Sequence, residues 1–210
     1  MTRAVFLDAL GTLVELEPPW VLLRERVPPT VSDQKLVGAV RKEMAYYKDH
    51  AHEGRDAESL ADLRERCAEV LSRELGVGVS AEELVEAVRF WAYPDADPAL
   101  RALRDRGLKT IVVSNWDCSL GSVLDGCGLS PLLDGAISSA EAGHRKPDPG
   151  IFIPALELAG CDAAEALHVG DTPVEDGDGA RAAGIAVLLI DREGGADISS
   201  LGAIEEHLAE

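Results

Sequence analysis

Five short apolar runs, each followed by polar or glycine residues, constrain the fold of this chain more than any other feature. The runs lack the alternation of apolar and polar residues that marks a strand with one solvated face. They are therefore typical of strands that are buried on both faces of a parallel sheet. We place these strands at residues 2–7, 108–113, 135–138, 166–169 and 185–190.

Helical patterns precede each of the last four strands, and a glycine directly follows each pattern. The predicted helices span residues 98–106, 119–127, 150–159 and 176–183. Glycine adopts the left-handed backbone conformation in which many helices end, so these glycines predict the helix ends. The alternation of strands and helices with short links predicts an α/β fold, a Rossmann-like core with a doubly wound parallel sheet.

A long segment after the first strand breaks this alternation. Between Pro18 and Phe90 the sequence has no convincing strand pattern, and helical patterns occupy residues 19–27, 31–50, 56–75 and 81–91. We predict that residues 1–16 and 94–210 form the α/β core. Residues 17–93 are predicted to form an inserted four-helix cap domain, with hinges near residues 14–18 and 94–97.

Charge narrows the possible partners of the chain. Its 210 residues include 20 Lys and Arg against 38 Asp and Glu, which gives a net charge of −18 at pH 7. Such a field repels nucleic acid and anionic membrane surfaces, so neither is an expected partner. We find no apolar run near the roughly 20 residues of a membrane span, and no secretion signal pattern. We therefore expect a cytoplasmic protein, in which the four cysteines, which lack metal-like spacing, are reduced thiols. We make no prediction of its oligomeric state.

Polar residues follow three of the predicted strands, at the end where α/β sheets bind ligands. The first strand is followed by Asp8-Ala9-Leu10-Gly11-Thr12, the second by Ser114-Asn115, and the fourth by Gly170-Asp171 with Asp176 five residues later. Lys146 lies just before a predicted helix. Each motif taken singly is most simply a turn, a helix cap or a solvated side chain. Together they predict a binding site at one edge of the sheet.

The order of these motifs resembles that of the haloacid dehalogenase-like hydrolase superfamily, and the resemblance covers essentially the whole chain. The helical insertion after the first strand looks like the cap domain of that superfamily, which closes over the active site. The resemblance implies a hydrolase acting on a small phosphorylated metabolite. It further implies an aspartyl-phosphate intermediate on Asp8 and Mg²⁺ as the cofactor.

The resemblance also implies roles for single residues. Asp8 would be the nucleophile, Ser114 and Lys146 would stabilise the phosphoryl group, Asn115 would help to bind the substrate, and Thr12 would hold the turn. The implied metal ligands are the side chains of Asp8, Asp171 and Asp176 and the backbone carbonyl of Leu10. These residue types suit phosphoryl transfer, which depends on charge neutralisation, and Mg²⁺, which prefers oxygen ligands.

Leu10 departs from the pattern of the superfamily's phosphatases. Those enzymes carry a second Asp two positions after the nucleophile, and it serves as the general acid and base. A leucine cannot transfer a proton, whereas positioned acid–base catalysis commonly contributes about 10²–10⁴-fold in rate. The sequence therefore predicts an intact nucleophile, phosphate-binding site and metal site without the usual proton shuttle.

Three hypotheses accommodate Leu10. The first is a Mg²⁺-dependent phosphatase in which another group moves the protons; the nearby candidates are Glu15, Glu17, Tyr46, Tyr47, His50 and His52. The second is a pseudoenzyme that binds a phosphorylated ligand without turnover. The third is a dehalogenase or a phosphonate-cleaving hydrolase, since these members of the superfamily also lack the second Asp. The Gly170-Asp171 pattern disfavours a dehalogenase, and phosphonate cleavage would require a lysine from the insertion.

Overall fold

The computed structural model describes residues 1–208 and contains a five-stranded parallel sheet, which confirms the predicted α/β fold. The strands along the chain are β1 (Ala4–Leu7), β2 (Val14–Leu16), β3 (Phe90–Ala92), β4 (Lys109–Ser114), β5 (Gly135–Ser138), β6 (Ala166–Gly170) and β7 (Ala186–Leu189). The order in the main sheet is β5-β4-β1-β6-β7, and each of these strands overlaps one of the predicted runs.

Strand β1 lies at the centre of the sheet, and apolar side chains cover both of its faces. Its residues alternate between the two faces, as expected for a strand. Val5 and Leu7 join one apolar cluster, which includes Leu103 of a flanking helix. Ala4 and Phe6 join a second cluster on the opposite face. Burial on both sides explains why this run is continuously apolar.

Nine α-helices accompany the strands in the described part of the chain. They are α1 (Pro19–Leu23), α2 (Asp33–His50), α3 (Ala57–Leu75), α4 (Ala81–Ala87), α5 (Ala96–Asp105), α6 (Leu120–Gly126), α7 (Ser139–Ala142), α8 (Ile153–Ala159) and α9 (Gly179–Ala182). Short 3₁₀ helices occupy Ala51–Glu53, Ser130–Leu132, Pro149–Phe152, Ala163–Glu165 and Leu201–His207. The four glycines predicted to end helices all have positive φ. None of the helices among residues 1–208 combines the length and apolar character needed to cross a bilayer.

The helix predicted at residues 176–183 is divided in the structure. Residues Pro173–Asp178 form a π-helical turn, and α9 follows directly. The wide turn arises because the backbone N–H groups of Asp176 and Gly177 both reach the carbonyl oxygen of Thr172, at 2.8 and 3.3 Å. This turn places the Asp176 side chain beneath the carboxyl edge of the sheet.

Helices α1 to α4 pack around an apolar cluster of their own within the segment 17–93, which we call the helical insert. Leu36 and Val40 of α2 and Leu63 and Leu71 of α3 are buried in this cluster. Helix α3 begins with a capping box, in which Asp56 accepts a hydrogen bond from the backbone N–H of Ser59. The division of the chain into two domains at these boundaries stays a prediction.

The sequence-based prediction is wrong where the helical insert returns to the core. A helix was predicted over residues 81–91, but α4 ends at Ala87 and Phe90–Ala92 forms β3, which pairs antiparallel with β2. Val88 has an extended backbone, and the following aromatic residues favour a strand once β2 offers a partner. Pairing between residues far apart in the chain therefore overrides the local helical pattern.

Candidate active site

The predicted site residues meet at the carboxyl edge of the sheet. Asp8 directly follows β1, Ser114 ends β4, and Asp171 directly follows β6. Leu7 pairs in register with residues of both neighbouring strands, so the residues that follow these strands project from the same edge. Lys146 reaches this edge from the loop after α7. The structure thus brings together four side chains that are widely separated in the sequence.

Lys146 forms the centre of the site. Its side chain is only 1% exposed, and its ammonium donates to Asp8 Oδ1 and to Asp176 Oδ1, each at 2.6 Å. The loop that carries it is fixed by Asn115. The backbone N–H of Lys146 donates to Asn115 Oδ1 at 2.7 Å, and Asn115 Nδ2 donates to the Lys146 carbonyl at 3.0 Å. Asn115 therefore positions Lys146, in addition to lining the adjacent cavity.

Asp176 is held by three hydrogen bonds. Its Oδ1 accepts from Lys146 and from His168 Nε2 at 2.8 Å, and its Oδ2 accepts from the backbone N–H of Thr172 at 2.9 Å. Burial alone would raise the pKa of Asp176, but the Lys146 ammonium and the His168 ring hold it well below its usual range. Burial lowers the pKa of His168, which favours the neutral ring, and Nε2 donates to Asp176 in the tautomer that carries its proton there.

Three carboxylates crowd this edge of the sheet. Oxygen atoms of Asp8, Asp171 and Asp176 lie within 4.8 Å of one another. Burial raises the pKa of Asp8, with a further contribution from Asp176, although Lys146 opposes the shift. Burial and the carboxylates of Asp8 and Asp176 raise the pKa of Asp171 to about 6. One lysine offsets this charge only in part, and carboxylate oxygens are the donors that Mg²⁺ prefers, so the residues fit a divalent cation.

The turn after Asp8 approaches Asp171 closely. Gly11 has φ of +82°, and a Cβ atom at this position would lie 2.7 Å from Asp171 Cγ. Glycine is therefore required both by the backbone conformation and by the available space. Thr12 is fully buried, and its hydroxyl has no hydrogen-bond partner among residues 1–208. Its carbonyl accepts from Arg192 at 2.5 Å, which ties the turn to the end of the sheet.

A cavity of about 600 Å³ lies between this edge of the sheet and the helical insert. Asp8, Ser114 and Asp171 line it on the side of the sheet, together with Leu10, whose side chain is 39% exposed. The position of the missing second Asp therefore faces the cavity with an apolar side chain.

The helical insert contributes ionisable groups to the cavity that sequence reasoning did not all identify. Tyr47 donates a hydrogen bond to Asp117 Oδ2 at 2.8 Å, across the boundary between α2 and the loop after β4. Glu43, one turn earlier on α2, is buried, and the sequence analysis did not identify it as a cavity residue. The available signal was its spacing, because Leu36, Val40 and Glu43 fall on one face of a helix that is otherwise apolar there.

The fold and the site together define an α/β protein with an acidic site at the carboxyl edge of its parallel sheet and a helical insertion after the first strand. A model of the haloacid dehalogenase-like hydrolase family matches residues 2–184. The chain belongs to this family.

Individual relatives support the same assignment. The chain is 45% identical over 95 residues to the haloacid dehalogenase-like hydrolase domain-containing protein 3 of Bos taurus. The aligned region covers 45% of this chain but only 38% of that protein. It is 37% identical over 146 residues to a protein of Mycobacterium tuberculosis that is named a phosphatase, covering 64% of this chain and 67% of that protein. The structure of L-2-haloacid dehalogenase from Xanthobacter autotrophicus has a TM-score of 0.72 at 23% identity over 98% of both chains, which shows a shared fold.

Proposed function

We propose that this protein is a cytoplasmic, Mg²⁺-dependent phosphatase that hydrolyses a small phosphorylated metabolite through an aspartyl-phosphate on Asp8. The buried pair of Asp8 and Lys146 at 2.6 Å, with Asp171 beside it, is the observation that carries this proposal. Membership of a hydrolase family and similarity to a protein named a phosphatase support it.

The residues of the chain suit the two half-reactions. A carboxylate oxygen of Asp8 attacks phosphorus, the bond between phosphorus and the leaving-group oxygen breaks, and water then hydrolyses the acyl phosphate. Lys146 offsets negative charge on Asp8 and on the transferred phosphoryl group, and Ser114 donates to a phosphoryl oxygen. Because Leu10 cannot protonate the leaving group, phosphates with good leaving groups, such as aryl phosphate esters and acyl phosphates, are the best substrates.

Asp8 and Asp171 would hold the Mg²⁺ ion, with the backbone carbonyl of Leu10 as a further oxygen ligand. Asp176 belongs to the same acidic cluster, but its oxygens already accept hydrogen bonds from Lys146, His168 and Thr172. We therefore assign Asp176 first to the orientation of Lys146. When bound, the ion supplies positive charge that stabilises the phosphoryl oxygens.

The helical insert acts as a cap in this proposal, above a core formed by residues 1–16 and 94–210. Tyr47 and Asp117 join the two parts across the cavity, and the backbone N–H of Cys118 donates to the Gly54 carbonyl at 2.8 Å. These contacts close one side of the cavity and limit the access of water to Asp8.

Turnover of p-nitrophenyl phosphate and acetyl phosphate, with and without Mg²⁺, tests the proposal. We expect Mg²⁺-dependent turnover that Asp8→Asn reduces by about a thousandfold or more, because the amide removes the nucleophile with little change of shape. Asp178→Asn is a matched control, since its side chain is 66% exposed and lies outside the cavity. Unchanged activity in Asp8→Asn would overturn the assignment of the nucleophile.

A second function is favoured by Leu10, namely binding of a phosphorylated ligand without turnover. Leu10→Asp distinguishes the two functions, because the side chain faces the cavity and the exchange leaves the core intact. If the native chain is inert and Leu10→Asp gains about 10²–10⁴-fold in turnover, the native site serves binding. If the native chain is active and Leu10→Asp adds little, another group already moves the protons.

A further inference from the structure

Glu43 is a buried carboxyl in the wall of the cavity opposite the sheet. Its side chain projects from α2, is only 6% exposed, and lines the same cavity as Asp8 and Ser114. The proposed mechanism of phosphoryl transfer does not use it. Burying an ionised carboxyl is unfavourable unless a hydrogen-bond donor and a cation compensate for the lost solvation, so a carboxylate in a cavity wall favours a cationic group on the ligand.

Residues 1–208 supply no counter-charge for Glu43. No Lys, Arg or His in this part of the chain lies within 4.0 Å of its carboxylate, and its polar neighbour is the thiol of Cys67. Burial raises the pKa of Glu43 to about 7 and that of Cys67 to about 12, so the thiol supplies no charge. Lys48, which also lines the cavity, pairs instead with Glu175 at 3.0 Å.

The lining of the cavity indicates which chemical group on a ligand would complement Glu43. Part of the cavity wall is apolar and includes Met44, Leu84, Val85 and Phe90. The carboxyl groups that line the whole cavity, those of Asp8, Glu43, Asp117, Asp171 and Glu175, outnumber its two lining cations, Lys48 and Arg64. An additional anionic group on a ligand would be repelled by this field, whereas a cation on an apolar body would be attracted.

We propose that Glu43 is a specificity-determining residue that binds a protonated amine on the leaving group, so that the preferred substrates are phosphate monoesters whose apolar leaving group carries an amine. The inference rests on the proposed phosphatase function, since the phosphate end is assigned to Asp8 and Lys146. The ammonium supplies the counter-charge that Glu43 lacks, and a charge-assisted hydrogen bond in a desolvated wall is stronger than a neutral one.

Matched aryl phosphates test this inference, because aryl leaving groups need the least help from a general acid. The first pair is 4-(aminomethyl)phenyl phosphate and 4-ethylphenyl phosphate, which differ by an ammonium in place of a methyl group. The second pair, 4-(2-aminoethyl)phenyl phosphate and 4-propylphenyl phosphate, extends the amine by one carbon. We expect at least one pair to show about a tenfold or larger preference for the amine in kcat/KM, mainly through KM.

Glu43→Gln should abolish that preference, because the amide keeps the shape of the side chain but loses its charge. The preference is the ratio of kcat/KM for the two substrates of a pair, measured with the same variant. A change in the overall activity of the variant therefore cancels in this ratio. Asp49→Asn is the control, since Asp49 is exposed on the same helix, lies outside the cavity and loses the same charge. It should keep the amine preference of the native chain.

Two results overturn the inference: a native chain that shows no preference for the amine in either pair, or a preference that survives in Glu43→Gln. Failure of the proposed function is recognised separately, as an absence of p-nitrophenyl phosphate turnover by the native chain. In that case the same pairs are compared by calorimetric binding. An affinity preference for the amine that depends on Glu43 supports the inference, and its absence rejects it.

Discussion

Lys146 Nζ lies 2.6 Å from Asp8 Oδ1, although 138 positions separate the two residues in the chain and both side chains are buried. The contact depends on the sheet, which sets Asp8 at the end of its central strand, and on Asn115, which holds the Lys146 backbone. A second carboxylate, Asp176, shares the same ammonium. Two buried carboxylates that are far apart in the chain therefore share one cation.

Replacing Lys146 by Met should destabilise the protein strongly. The change leaves Asp8 and Asp176 buried without a cation, and breaking a buried pair in this way costs about 3–5 kcal/mol. Urea unfolding without Mg²⁺ measures the loss. Lys109→Met is the matched control, because Lys109 pairs with Asp134 at the surface and such pairs contribute about 0–1 kcal/mol. Similar losses in both variants would contradict a special role for the buried pair.

Asp171→Asn should abolish Mg²⁺ binding while leaving the fold intact. Asp171 is exposed to the cavity, and the negative charge that crowds it would be relieved by a bound cation. Isothermal titration with Mg²⁺ compares the native chain with this variant and with Asp178→Asn, which lies outside the acidic cluster. Retention of native affinity in Asp171→Asn would show that the ion binds elsewhere.

Tyr47→Phe should weaken the connection between the helical insert and the core. Burial and the neighbouring Asp117 raise the pKa of Tyr47 well above its usual range, so the hydroxyl stays protonated and donates to the carboxylate. Losing a hydrogen bond to a charged group costs about 1.5–3 kcal/mol in unfolding free energy. Tyr46→Phe is the control. Arg66, which donates to the Tyr46 hydroxyl, keeps its ion pair with Glu53 in this variant, so the unfolding free energy should fall by less than about 1 kcal/mol. Equal effects would contradict the prediction.

Glu43→Gln should stabilise the protein at alkaline pH. Burial raises the pKa of Glu43 from 4.5 to about 7. Between pH 4.5 and pH 7, therefore, Glu43 is protonated in the folded state and ionised in the unfolded state. Native stability therefore falls as pH rises through this window, by up to about 3 kcal/mol. We expect the difference between Glu43→Gln and the native chain to grow from pH 5 to pH 8 in urea unfolding. A difference independent of pH, or one matched by Asp49→Asn, would contradict this.

The sequence predicted the main sheet because strands that are buried on both faces must be continuously apolar, and the polar residues at their ends mark the carboxyl edge. It did not predict the ribbon of β2 and β3, since three-residue strands are too short to show a period and their pairing joins residues far apart. Glu43 was missed for a related reason. Its position on an apolar helix face was visible, but its exposure to a cavity depends on how the helical insert packs against the core.

The central position of β1 in the sheet determines when this strand can pair during synthesis of the chain. Its pairing partners begin at Lys109 and Ala166, so the central strand leaves the ribosome long before either neighbour. At about 5–20 residues per second, this delay is on the order of 5–20 seconds for β4 and longer for β6. Until then β1, with Asp8 directly after it, lacks the two strands that flank it in the folded sheet. Asp8, the proposed nucleophile, is therefore translated well before most of the residues that surround it in the folded protein.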